Sequence, residues 1–340
     1  MSSSCTPAAG VLARRPRGRT VRVCAWLACA WLGLASFFHP LAHAAPWGGS
    51  PAAPTLRDEA IGRADLALAE ARRAHRAQGG GLPTLGAGRP ARLAVAAYQA
   101  ALALAPAPGD DLDDVDLHHR LFVATVYLPD AEARWRLALT HFDAMRAGDP
   151  RDPRETDLLP DVCTALSKLA AHGGPGTDEL LERAVREYAT WRARIDETDP
   201  QLADNIAMNA SNTAELLMAL GPERLPEAIA LYAESVALYP GEPLGWYGLA
   251  VAADRDGQVE RGESAMRRAL ELDPRMRRLT AAGVYFVPHG DLRYYEGLAH
   301  QVAGRNAAAR DAYRAFLAEG KTTRYGARAR AHLTELRAGP

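Results

Sequence analysis

An all-α repeat architecture is the fold class this 340-residue sequence predicts, and three observations point to it. First, Glu227–Pro240 and Arg261–Pro274 write the same helix twice, 34 residues apart: Ala228 corresponds to Gly262, Tyr232 to Met266, Val236 to Leu270, Leu238 to Leu272 and Pro240 to Pro274. A fixed period of this length marks stacked helical hairpins, each too small to bury its apolar face alone. Second, apolar residues recur at helical spacing from about Thr55 to the end, and no alternating, strand-like run exceeds a few residues. Third, glycine falls inside the hairpins while Asp149-Pro150, Asp199-Pro200 and Asp273-Pro274 fall between them. Each of these pairs offers an acidic N-cap followed by proline at the first helical position, so each predicts a helix start.

Residues 1–44 read as a secretory signal peptide and not as part of the fold. They contain no Asp or Glu, five arginines from Arg14 to Arg22, an apolar run from Val23 to Phe38, and then Ala42-His43-Ala44. The run is too short for an ordinary transmembrane span, and the small-x-small ending suits cleavage after Ala44. The Arg14-Arg15 pair lacks the following residues of a twin-arginine signal, and Cys29 sits wrongly for lipid attachment. The expected location is therefore periplasmic or secreted, with membrane association only if the segment is retained. Cleavage leaves 35 basic against 41 acidic residues, a net charge of −6. No basic excess or basic run survives, which argues against a nucleic-acid partner. Of the four cysteines only Cys163 remains, so no intramolecular disulfide is expected, and Cys163 reads as a small buried residue on a helix.

Residues 45–55, rich in Pro, Gly and Ala, form a flexible lead. Hairpins then follow in two grades. Trp246-Tyr247-Gly248-Leu249-Ala250 carries a first-helix pattern, and Gly257, Gly262, Met266, Ala269-Leu270 and Asp273-Pro274 carry the second. Small residues at Ala250 and Gly262 allow close helix approach, while Leu249, Met266 and Leu270 fill the space beside it. On these residues the chain resembles the tetratricopeptide repeat (TPR) family. The resemblance implies a right-handed α-solenoid of about six TPR-like hairpins plus a C-terminal capping helix. It is specific over residues 201–320. Over 56–200 the pattern is divergent, kept at Ala94, Tyr98, Ala101-Leu102 and Pro106, and more loosely at Ala138 with Phe142 and Ala184 with Tyr188. A last helix over 323–337, with Arg324, Arg328, Arg330 and Arg337, is expected to cover the apolar end of the stack.

One departure breaks the period. Gly262 and Ala309 are 47 residues apart, a surplus of 13, and the surplus falls at 280–290 around Gly283-Val284-Tyr285-Phe286-Val287-Pro288-His289-Gly290. This apolar, β-prone run bounded by Gly and Pro belongs to neither helix.

Candidate binding residues follow from helical spacing. Asn205, Asn209 and Asn212 lie at i, i+4 and i+7 on one face, where asparagine is a poor helix-interior choice unless its amide serves something. A concave groove lined by first helices is what the resemblance implies, with Tyr247, Asp254, Arg255 and Tyr294 facing it. Tyr285 and Phe286 either close over that groove or plug a gap between hairpins. Catalytic motifs are missing: no His-Glu-x-x-His, Cys-x-x-Cys or Gly-x-Ser-x-Gly occurs, and Glu319-Gly320-Lys321-Thr322 lacks the first glycine of a phosphate loop. Asp114 and His118 are spaced as two metal ligands, but the acidic stretch from Asp110 to Asp116 reads better as a first turn favoured by the helix dipole. No metal or cofactor is expected. The reading is a non-enzymatic, exported interaction module or scaffold binding a protein or peptide. The alternative is a solute-binding component of an envelope uptake system, its ligand held where the inserted loop meets the groove.

Overall fold

The computed structural model describes residues 55–77, 85–106, 112–196, 198, 201–281, 284–319 and 324–338. The signal segment and nearly all of the lead lie outside them. Six antiparallel hairpins stack in chain order: α1 (Leu56–Ala77) with α2 (Leu85–Leu102), α3 (Asp114–Val126) with α4 (Glu132–Gly148), α5 (Glu155–Ala171) with α6 (Thr177–Arg194), α7 (Leu202–Leu220) with α8 (Leu225–Leu238), α9 (Pro243–Arg255) with α10 (Val259–Leu272), and α11 (Leu292–Val302) with α12 (Asn306–Ala318). A last helix, α13 (Gly326–Ala338), packs on α12. Among the described residues there is no strand, and no helix is long and apolar enough to cross a membrane. The chain is an all-α solenoid, as its period predicts.

Two close helix approaches are made where glycine faces an aromatic ring. A Cβ on Gly248 of α9 would lie 2.1 Å from the Tyr232 ring of α8, and one on Gly297 of α11 would lie 2.7 Å from the Tyr313 ring of α12. Gly262, the position the repeat pattern singles out, would place a Cβ 3.1 Å from the Ala250 carbonyl. This is tight but milder, because two helix backbones meet there with no ring between them.

The Asp-Pro pairs act differently from the expectation. Asp149 and Asp273 end α4 and α10, with non-helical backbone (φ −136° at both) and N–H groups bonded back to Met145 and Ala269. The residue before a proline is pushed out of the helical region, so it closes the preceding helix. Asp199-Pro200 lies outside the described residues. The N-cap and N1 proline found here belong to α9, where the Glu242 carboxylate accepts from the Leu244 N–H and Pro243 opens the helix.

Two apolar cores run through the stack, one from α1 to α7 and the other from α7 to α13, and both draw on the last two turns of α7. The inserted segment joins them. Val287 is buried in the first and Phe286 in the second. The terminal helix also does more than cover α12. Its Tyr325 hydroxyl donates to the Met218 carbonyl at 2.7 Å, Arg324 donates to the Ala219 carbonyl and pairs with Asp178, and Arg328 reaches Asp254 at 2.6 Å. The C-terminus therefore folds back over α9 and the end of α7.

Candidate functional site

The surface of interest is the one formed by the first helices of the hairpins, because the insert and α13 both lie against it. On α5, Asp157, Asp161, Thr164 and Lys168 share one face by helical spacing, and all four are at least partly exposed. Lys168 pairs with Asp130 at 2.8 Å, and its ammonium stands 5.1 Å from the Tyr285 ring. Burial pushes the Asp161 carboxyl up to about 6, with Arg134 opposing. This carboxylate on the inner face thus sheds its charge unusually easily.

Each predicted residue has a definite place. Asn205 is half-buried at the start of α7. Asn209 is buried and donates its amide to the Tyr188 carbonyl of α6 at 2.9 Å, and Asn212 hydrogen-bonds the Tyr188 side chain. These two amides fasten α6 to α7. Tyr247 is fully buried, its hydroxyl donating to the Asp273 carbonyl at 3.3 Å. Asp254 accepts from the Tyr294 hydroxyl at 2.6 Å and lies 2.9 Å from His332 Nε2. Burial alone would raise its pKa, but bonds from His332, Arg328 and Tyr294 hold the carboxyl at about 2. Arg255 forms a buried pair with Asp291 at 2.9 Å, its guanidinium 4.5 Å from the Tyr294 ring and 4.1 Å from that of Tyr325. Burial works against its charge, and the Asp291 carboxylate beside it more than reverses that.

Asn209, Asn212 and Tyr285 therefore converge on Tyr188, while Asp254, Arg255 and Tyr294 form a second cluster under α13. Tyr247 stands apart, at the far end of α9. Asn209, Tyr247, Asp254, Arg255 and Tyr294 are spent on internal partners, and none offers a free side chain to a groove. The reason is that the chain itself covers this part of the inner surface.

The insert packs against the inner helices as a non-helical segment. Tyr285 hydrogen-bonds Ser167 and Tyr188, and burial pushes its hydroxyl up to about 12. The Phe286 ring sits 4.8 Å from that of Tyr295, and the Val287 N–H donates to a Glu215 carboxylate oxygen at 3.2 Å. His289 meets His172 of α5 edge to face at 5.2 Å. The segment's contacts run from Ser167 of α5 through Glu215 of α7 to Tyr295 of α11. Its side chains fill the junction where a small solute was expected.

Glu215, Tyr232, Tyr295, Asp291 and His332 were not among the candidates from sequence. Glu215 accepts from the Tyr232 hydroxyl at 2.8 Å and from Tyr295 at 2.6 Å, and burial raises its pKa, the Asp291 charge adding to the rise. One signal was present: Glu215 is the single charged residue in the run from Ile206 to Leu220. His332 had none, because its partner Asp254 is 78 residues away.

The metal pair suggested by spacing is not assembled. Asp114 pairs with Arg57 at 2.8 Å and His118 faces His141 at 3.0 Å. The acidic turn instead builds a capping box between Asp113 and Asp116 at the start of α3. Among the described residues no three His, Cys, Asp or Glu side chains are grouped to hold a metal ion. Cys163 is buried, and burial raises its thiol pKa well above the usual range.

No protein-family model matches the chain, and no curated protein matches it. Solved structures similar to it include a mutant of MamA, 16% identical over 63% of this chain and 98% of that one, with a TM-score of 0.41. Another is the assembly chaperone of RpL4 (Acl4), 17% identical over 81% and 98%, with a TM-score of 0.42. A third is the TPR2AB-domain:pHSP90 complex of yeast Sti1, 15% identical over 80% and 96%, with a TM-score of 0.22.

Proposed function

We propose that this chain is an exported helical-repeat scaffold, not an enzyme, that binds a protein or peptide partner along the inner surface of its stack. The observation that carries this reading is the insert: helices α5 to α11 hold the non-helical segment Val284–Pro288 by aromatic contacts and by a hydrogen bond from its Val287 N–H to the Glu215 carboxylate. A surface that seats one non-helical segment has the chemistry to seat another. The inner face of α5, with Asp157, Asp161 and Thr164 partly exposed, is the part of that surface the insert leaves accessible.

Site-specific photocrosslinking in the exported protein tests this. A photoreactive residue at Thr164 is expected to capture a discrete partner, and one at Arg268, exposed on α10, is not. Equal capture at both positions, or at Arg268 alone, refutes the assignment of the inner face. Export itself is tested by N-terminal sequencing, with Ala45 expected as the first residue. A solute-binding role needs its ligand elsewhere, in the cavity of about 200 Å³ bordered by Glu263, Arg267, Gln301 and Glu335. A rise in Tm with sugars, amino acids or organic acids supports that role, and a flat response counts against it.

A further inference from the structure

We propose that Val284–Pro288 is a displaceable occupant of the groove, and that the partner's binding segment is a peptide with two adjacent aromatic residues followed by an aliphatic one. The inference rests on the inner surface being the binding face, and it goes further by naming what is recognised and what must first move aside.

Three observations carry it. The segment lies in no strand, and its backbone bonds are local at both ends, Val284 N–H to the Ala281 carbonyl and Asp291 N–H to the Pro288 carbonyl, with the Val287 N–H bonded across to Glu215. The groups that hold it keep partners when it leaves. The Ser167 hydroxyl also donates to the Cys163 carbonyl at 2.8 Å, Lys168 also pairs with Asp130 at 2.8 Å, and Glu215 retains the hydroxyls of Tyr232 and Tyr295. Departure of the segment takes one hydrogen bond from a buried group on the helices, at the Glu215 Oε1 that accepts the Val287 N–H, while Oε2 keeps both hydroxyls. Finally, its ends are fixed. Asp273 accepts the N–H groups of Arg277 and Arg278 on one side, and Asp291 is paired with Arg255 on the other. Both anchors lie outside Val284–Pro288, so its displacement breaks neither.

The pockets define the competitor. The first aromatic residue needs a hydroxyl to meet Ser167 and Tyr188 and a ring face for the Lys168 ammonium. The second stacks on Tyr295, and the third position is a small aliphatic residue whose N–H meets Glu215. An intramolecular segment competes at an effective concentration of roughly millimolar, so partners bind the unmodified chain weakly.

The test measures binding of a fluorescent peptide with the sequence of residues 284–290 to the full chain and to its Tyr285→Ser/Phe286→Ser variant. The variant, with helical circular dichroism retained, is expected to bind at least about tenfold more tightly than the unmodified chain. The same peptide with serine at both aromatic positions is expected not to bind. Equal affinities for the two proteins overturn the proposal. Hydrogen exchange on the unmodified chain provides a readout that does not depend on the variant folding. The Val287 amide is expected to exchange at least about a hundredfold faster than amides in the middle of α7. Exchange of Val287 at the rate of α7 shows a fixed part of the core and overturns the proposal. If partner capture at Thr164 succeeds while the segment stays closed, the binding face stands and only displacement fails.

Discussion

Hairpins one to three and hairpins four to six are built from the same unit, yet their inner faces are finished differently. In the second half, the insert and α13 lie over the first helices and bury Asp254, Arg255 and Tyr294 in a network of rings and ion pairs. In the first half, helices meet through partly exposed pairs such as Arg146 with Glu155 and Glu187, and the inner face of α5 keeps accessible polar groups. Stacking alone leaves a groove. Covering it needs extra chain: α13 lies over the second half, and the insert reaches from there to α5.

The sharpest way to break this comparison is to remove the buried cation of the covered half. Arg255→Ala leaves Asp291, 1% exposed, without its counter-charge, and is expected to cost about 3–5 kcal/mol in urea unfolding. The same truncation at Arg146 is expected to cost about 1–2 kcal/mol, because its guanidinium is 33% exposed and Glu155 keeps Arg194 as a partner. Equal costs would mean the halves do not differ as described.

Next in size is steric. Gly248→Val puts a side chain where a Cβ would already sit 2.1 Å from the Tyr232 ring, and is expected to lower stability by about 3 kcal/mol. Gly262→Ala, with its nearest contact at 3.1 Å, is expected to cost less, as read by the shift in Tm.

The third prediction is a pH dependence. The Asp254 carboxyl is held at about 2, below its ordinary value of 3.8, by His332, Arg328 and Tyr294. A depressed folded pKa gives stability that is present above the unfolded value and lost as pH falls through the folded one. Between pH 4 and 2 the unmodified chain is expected to lose about 2 kcal/mol more than Asp254→Asn. Urea midpoints at several pH values in that window measure it, and parallel curves for the two proteins would remove Asp254 from the network.

The smallest effect lies in the open half. Nothing stands within 4 Å of a Cβ at Gly62, in the middle of α1. Gly62→Ala is expected to stabilise by about 0.5–1 kcal/mol through helix propensity alone, seen as a small rise in Tm.

Much of the framework was legible in the sequence. The six hairpins, the breaks between them and the surplus at 280–290 follow from periodicity, because helical spacing and Gly/Pro placement act within a few residues. The role of the Asp-Pro pairs was misjudged for a local reason: a capping motif was read forward when the constraint of proline acts backward. The candidate site residues were only half legible. Spacing put Asn209 on one helix face, and the repeat resemblance put Tyr247 and Asp254 on the inner side of α9. Neither carried information on what would come to rest against them, since Val287 meets Glu215 across 72 residues and Arg328 meets Asp254 across 74.

By itself, then, the chain's order of residues determined the helices, their pairing and their stacking, all of which come from contacts between neighbours in sequence. Only the tertiary structure decided which stretch of the inner surface is covered and which is open. That choice depends on two segments returning from a distance, where a few ion pairs and aromatic contacts, and no repeating pattern, fix the result.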